Sequence, residues 1–214
     1  MEAVVFDMDG VIFDTERLVL EGWAHTGKKH GIVGTDEVCR ECLGTTHEIS
    51  RQIFLNHYGA DFPYEEYKEE MRNYFYQAIE KEIPLKPGIQ EILTELRKKN
   101  YKIGLASSTR RAVVLEELEK AELTEYFDVI IGGDLLKRSK PEPDIYLMAC
   151  RELSVEPQKA YAIEDSYNGI RSAYAAGMRP IMVPDLMPPT QEMEEKSIVI
   201  CSNLMEALQF IETK

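Results

Sequence analysis

A chain of 214 residues suits one large domain or a domain with a moderate insertion, and its 44% hydrophobic residues are ample for a packed core. A net charge of −13, from 38 acidic against 25 basic residues, speaks against nucleic acid as a partner, because no basic stripe gathers the positive charge. No apolar run approaches the roughly 20 residues of a membrane span and no signal peptide opens the chain, so a cytoplasmic protein with no membrane partner is expected. Of the 4 cysteines only Cys39 and Cys42 stand close together, and without a second pair they read as ordinary packing thiols. The histidines show no metal-binding spacing.

Residues 3–6 read as a short buried strand. From about Glu16 the pattern turns helical. One helix runs over "RLVLEGWAHTGKKHG" to Gly31, another over 47–58, and a third over 64–82 with Tyr67, Met71, Tyr74, Phe75 and Ile79 on one face. That aromatic stripe reads as packing. Pro84 and Pro87-Gly88 close the block. Beyond it the spacing alternates. Helices are predicted over 89–99, after Arg110, over 143–153, over 168–176 and at the C-terminal end. Strands are predicted over 102–106, 128–131, 160–163, 180–183 and weakly 198–200. Such alternation, with near-continuous apolar strands, implies an α/β fold: a parallel sheet with helices on both faces. Residues 15–85 interrupt the rhythm as a small helical insertion, which leaves 1–14 and 86–214 as the α/β core.

In open parallel sheets ligands bind beyond the carboxyl ends of the strands. The first strand is followed by "DMDG" with Asp7 and Asp9, and the second by "SSTR" with Ser107, Thr109 and Arg110. The third is followed by a loop reaching Lys140, and the fourth by "EDSYNG" with Glu164 and Asp165. Each residue taken alone has a plain explanation, since Asp and Ser commonly cap helices in such loops. Taken together, four carboxylates on one edge would repel one another and raise their pKa values. A lysine and a divalent cation would offset that. Oxygen-only ligands suit Mg²⁺. A carboxylate beside a lysine, hydroxyls and a cation can attack phosphorus, while a second carboxyl two residues on exchanges the proton of the leaving oxygen.

In that arrangement the chain resembles the haloacid dehalogenase-like superfamily of phosphatases, near its β-phosphoglucomutase-like and sugar-phosphatase group. "FDMDGVIFDTE", "LASST", "SKPEPDIY" and "IEDSYNGIRSAYAAGM" look like its four motifs, in order. The resemblance implies a Rossmann-like α/β core with a small inserted α-helical cap domain. It implies Asp7 as nucleophile and Mg²⁺ ligand, and Asp9 as general acid/base with its backbone carbonyl on the metal. It implies Ser107 and Lys140 as phosphoryl-holding groups, Asp165 as a metal ligand, and Glu164 as a ligand or an outer partner. Thr109 and Arg110 are candidate phosphate contacts, and Asn168 is expected to cap or orient the fourth loop. The cap should select the substrate, with Glu16, Trp23, Thr45, Thr46 and His47 as candidates.

The reading that results is a Mg²⁺-dependent phosphatase of small phosphomonoesters of sugars or nucleosides, acting as a monomer. The alternative is a β-phosphoglucomutase-type mutase. Val19 and His47 stand where the mutase resemblance implies a histidine and an arginine, which favours hydrolysis. A non-catalytic phosphate-binding protein is the third reading, and the complete set of chemical groups weighs against it.

Overall fold

Four apolar residues, Ala3–Phe6, form β1, and each is fully buried. The computed structural model describes residues 2–42, 47–81 and 83–213. By its contacts the chain divides into two compact units, Met1–Asp14 with Leu85–Lys214, and Thr15–Pro84.

In the first unit β1 is joined by β2 (Lys102–Ala106), β3 (Val129–Ile131), β4 (Ala160–Glu164), β5 (Arg179–Met182) and β6 (Val199–Ile200). The six strands are parallel in the order β3-β2-β1-β4-β5-β6. Phe6 lies level with Leu105 on one side and Ile163 on the other, so β1 ends at the same height as its neighbours. The strand order reverses between β1 and β4. Sequence from β1 to β3 builds one half and sequence from β4 to β6 the other, which leaves a crevice at the carboxyl ends of β1 and β4.

Side chains alternate across the sheet. Ala3 and Val5 pack into a cluster with Ile145, Tyr146, Ala149 and Cys150 of α7 (Asp144–Leu153) and Ala173 of α8 (Tyr167–Ala175). On the sequence between β1 and β4 lie α5 (Ile89–Lys98) and α6 (Arg111–Lys120). Ile89, Ile92, Leu93 and Leu96 of α5 recur at helical spacing and are all buried. The chain ends with α9 (Gln191–Lys196) and α10 (Leu204–Glu212), capped by Thr190 and Asn203.

The second unit holds α1 (Thr15–Lys29), α2 (Thr35–Cys42), α3 (His47–Tyr58) and α4 (Tyr64–Lys81). Its core is aromatic. Trp23 lies 4.8 Å from the Phe54 ring and 5.2 Å from the Tyr67 ring, and the Tyr67 hydroxyl donates to the Trp23 carbonyl at 2.9 Å. Two helices, α2 and α9, were not predicted from the sequence. Each is short and buries few residues, Thr35, Val38 and Cys39 in one and Met193 in the other, so neither shows a sustained period.

Phe54 is fully buried beside the chain's single tryptophan. We expect Phe54→Ala to destabilise the helical unit by about 3–5 kcal/mol, seen as a lower urea midpoint in Trp23 fluorescence. An unchanged midpoint would contradict the assigned core.

Candidate active site

The backbone of β1 keeps its ladder one residue past the strand, with the Asp7 amide donating to the Ile163 carbonyl at 3.0 Å. Met8 is buried at 1% exposure, so the flanking Asp7 and Asp9 share the opposite side. Amides of Ile12 and Phe13 then donate back to the Met8 carbonyl at 2.8 and 3.1 Å, which closes a tight turn. Gly10 in that turn has φ +78°, and a Cβ there would lie 2.2 Å from Oδ2 of Asp165. Only glycine meets both demands, and its absent side chain lets the loops after β1 and β4 touch.

Lys140 arrives from the loop after β3, just before a cis Lys140-Pro141 peptide. Its Nζ donates to Asp7 Oδ1 at 2.5 Å, Glu164 Oε1 at 2.6 Å and the Ala106 carbonyl at 3.1 Å. All three ammonium donors are therefore used. The side chain is 8% exposed, and the ammonium lies 5.2 Å from the Tyr146 ring centroid. Burial pushes the Asp7 carboxyl up to about 8; Lys140 opposes this and the Glu164 charge adds to it. Burial works against the Lys140 ammonium, but the charges of Asp7 and Glu164 outweigh it and raise its pKa.

Glu164 is fully buried. Its Oε1 also accepts from the Tyr146 hydroxyl at 2.7 Å, and its Oε2 accepts from the Ser166 hydroxyl at 3.0 Å and amide at 3.3 Å. Four donors fill the four lone-pair positions of the carboxylate. This favours the outer role for Glu164, holding Lys140, over direct metal ligation. Gly169 makes room, since a Cβ there would meet the Glu164 carboxylate at 1.9 Å.

After β2, Ser107 is 1% exposed, and its Oγ accepts from the Thr109 amide at 3.0 Å. The Thr109 hydroxyl donates to Asp9 Oδ2 at 3.4 Å. Arg110 is exposed at the N-cap of α6. The structure thus brings together Asp7, Asp9, Ser107, Thr109, Lys140, Glu164 and Asp165. Thr45 and Thr46 lie outside the described residues, and of His47 only its place at the start of α3 is described.

Two expectations are corrected. Trp23, a substrate-contact candidate, is 6% exposed and spent on the aromatic core. Asn168 does not cap α8. Ser166, in extended conformation, is the N-cap and accepts from the Gly169 amide, while Asn168 accepts from Arg171. A serine just before the predicted helix could have signalled the cap. Tyr146 was also missed, because an aromatic on a buried helix face reads as packing.

Asp7, Glu164 and Asp165 offer carboxylate oxygens within 4.8 Å of one another, all from buried residues. These hard oxygen donors fit a small divalent cation, and Asp7 and Asp165 are the carboxylates that could hold it. No described helix is long and apolar enough to cross a membrane.

Comparison with known proteins agrees with this architecture. A profile described as haloacid dehalogenase-like hydrolase matches residues 4–183. The chain is 34% identical to the phosphorylated carbohydrates phosphatase of Thermotoga maritima, over 85% of this chain and 84% of that one. It is 36% identical to the β-phosphoglucomutase of Bacillus subtilis, over 88% and 85%. The crystal structure of CbbY from Rhodobacter sphaeroides in complex with phosphate superposes with a TM-score of 0.72 at 31% identity, covering 96% of each chain.

Asp7 binds its proton more tightly folded, at about 8, than at its ordinary value of 3.8. The stability contributed by that proton is present below the unfolded pKa and is lost as pH rises through the folded one. We expect chelator-treated wild type to lose urea resistance relative to Asp7→Asn as pH is raised from 3.8 to beyond about 8. Parallel pH profiles for the two proteins would contradict the burial-driven shift.

Proposed function

This chain belongs to the haloacid dehalogenase-like hydrolase family, and we propose that it is a Mg²⁺-dependent phosphatase of small phosphomonoesters, sugar phosphates first among them. The observation that carries this reading is the Lys140 ammonium held between Asp7 and Glu164 at the mouth of the sheet's switch point. Its positive charge favours the ionised, nucleophilic form of Asp7 against the effect of burial.

Asp7 attacks phosphorus, and the bond from phosphorus to the ester oxygen breaks. Asp9 gives its proton to the departing oxygen, then takes one from the water that attacks the aspartyl phosphate. Phosphate leaves and the Asp7 carboxylate is restored. The Thr109 hydroxyl steadies Asp9 for both transfers. Ser107 holds the phosphoryl oxygens and Lys140 sets its positive charge against them, with Thr109 and Arg110 as further contacts. Glu164, fixed by Tyr146 and Ser166, orients Lys140. Asp7, Asp165 and the Asp9 carbonyl would hold Mg²⁺, which supplies positive charge against the phosphoryl oxygens when bound. We assign residues 15–85 as the cap domain on a core of 1–14 and 86–214. Substrate choice is assigned to that cap, with Thr45 and His47 as candidates. The enzyme is read as a cytoplasmic monomer with neither nucleic acid nor membrane as a partner.

The sugar-phosphate class is supported by the Thermotoga maritima relative named for phosphorylated carbohydrates. A mutase is the second reading, because the Bacillus subtilis relative is named β-phosphoglucomutase. Against it, Val19 packs on the aromatic core of the helical unit and offers no proton-transfer group.

Free phosphate should appear from sugar phosphomonoesters only with Mg²⁺ present. Asp7→Asn should reduce turnover by about 10⁴-fold or more while the circular dichroism stays unchanged. Substantial turnover in Asp7→Asn would remove it as nucleophile. Isomerised sugar phosphate without free phosphate, read by phosphorus NMR, would favour the mutase.

A further inference from the structure

Asp185, in the loop after β5, is a carboxylate to which the mechanism gives no task. Its side chain is 10% exposed. Oδ1 accepts from the Lys86 ammonium at 2.6 Å. Oδ2 is buried and meets no donor among the described residues. Lys86 is itself fixed: its amide donates to the Ile12 carbonyl at 2.8 Å, and its ammonium lies 3.5 Å from Asp14 Oδ1. The carboxylates of Asp185 and Asp165 offer oxygens within 4.8 Å of each other.

A buried acid and a half-buried one at that separation repel each other, and a buried carboxylate oxygen without a donor is costly. Both costs fall if a donor sits between them. Mg²⁺ keeps several of its waters when bound through one or two carboxylates, and such a water can bridge two groups too far apart for a direct hydrogen bond. Asp185, whose carboxylate lies near that of the proposed ligand Asp165 and whose Oδ2 is unpartnered, has the chemistry to accept from one.

We propose that Asp185 is an outer positioning residue of the cation site, accepting from a water of the cation held at Asp7 and Asp165, and that Lys86 orients it and moderates its charge. This rests on the cation assignment above. The competing account is a structural clasp, in which the Asp185–Lys86 pair only ties the β5 loop to the segment after Leu85. The two accounts differ in sign. A carboxylate acting on the cation strengthens its binding, and the lysine that tempers that carboxylate weakens it. A clasp makes both residues merely stabilising.

The test is Mn²⁺ binding to the full chain without substrate, counted from the free-ion electron paramagnetic resonance signal, with thermal melting in parallel. Asp185→Asn should weaken Mn²⁺ binding by about 10-fold or more, in the range typical of lost outer partners. Lys86→Gln should tighten it. Unchanged affinity in both variants, or weakening in both alongside lower melting temperatures, would overturn the proposal. If Asp185→Asn fails to fold, Lys86→Gln alone decides by whether it tightens binding. Absence of Mn²⁺ binding by the wild type would instead overturn the cation assignment itself, and the proposal with it.

Discussion

The Lys140 ammonium stands between Asp7 and Glu164 at 2.5 and 2.6 Å, and it lets a buried sheet edge carry like charges side by side. Without it the edge would hold Asp7, Glu164 and Asp165 with little compensation, and burial, which already raises the Asp7 pKa, would drive that carboxyl further toward its neutral form. A neutral Asp7 is no nucleophile. Much of the nearby geometry serves to fix this one cation. The Ala106 carbonyl takes its third hydrogen, the Tyr146 ring lies alongside it, and Tyr146 and Ser166 lock the Glu164 carboxylate that faces it. Gly10 and Gly169 supply the missing side-chain volume that lets these loops close on one another.

The fold delivers these groups because of its strand order. Asp7 and Asp9 follow β1, Glu164 and Asp165 follow β4, and these two strands are hydrogen-bonded neighbours at the point where the winding reverses. Ser107 and Thr109 come from β2 on the other side of β1. Only Lys140 reaches in from a longer loop beyond β3. The helical unit is built on another principle, an aromatic cluster around Trp23, Phe54 and Tyr67.

Much of this was legible in the sequence. A buried strand announces itself by an unbroken apolar run, and Asp7 and Asp9 directly after such a run have few reasons to be there except chemistry. The αβ alternation gave the parallel sheet. What was not legible depends on contacts between distant residues. Whether Glu164 ligates a metal or holds a lysine turns on Tyr146 and Ser166, whose hydroxyls meet it only in the folded chain. Trp23 looked available to a substrate because helical spacing alone cannot tell which face of α1 is buried. Ser166 and Asn168 are both good capping residues, and the backbone conformation chose between them. Asp185 carried no signal, since an aspartate in a loop after an edge-ward strand is ordinary until its unpartnered Oδ2 and its neighbour Asp165 are known.

Turnover by this site requires the Asp7 carboxylate to become phosphorylated. The most direct measurement is to quench the enzyme in acid while it consumes a sugar phosphomonoester with Mg²⁺, digest it, and weigh the peptides by mass spectrometry. The mass of one phosphoryl group should appear on the peptide carrying Asp7 and on no other. Steady phosphate release with no modified peptide, or with the phosphoryl group on a different residue, would contradict it.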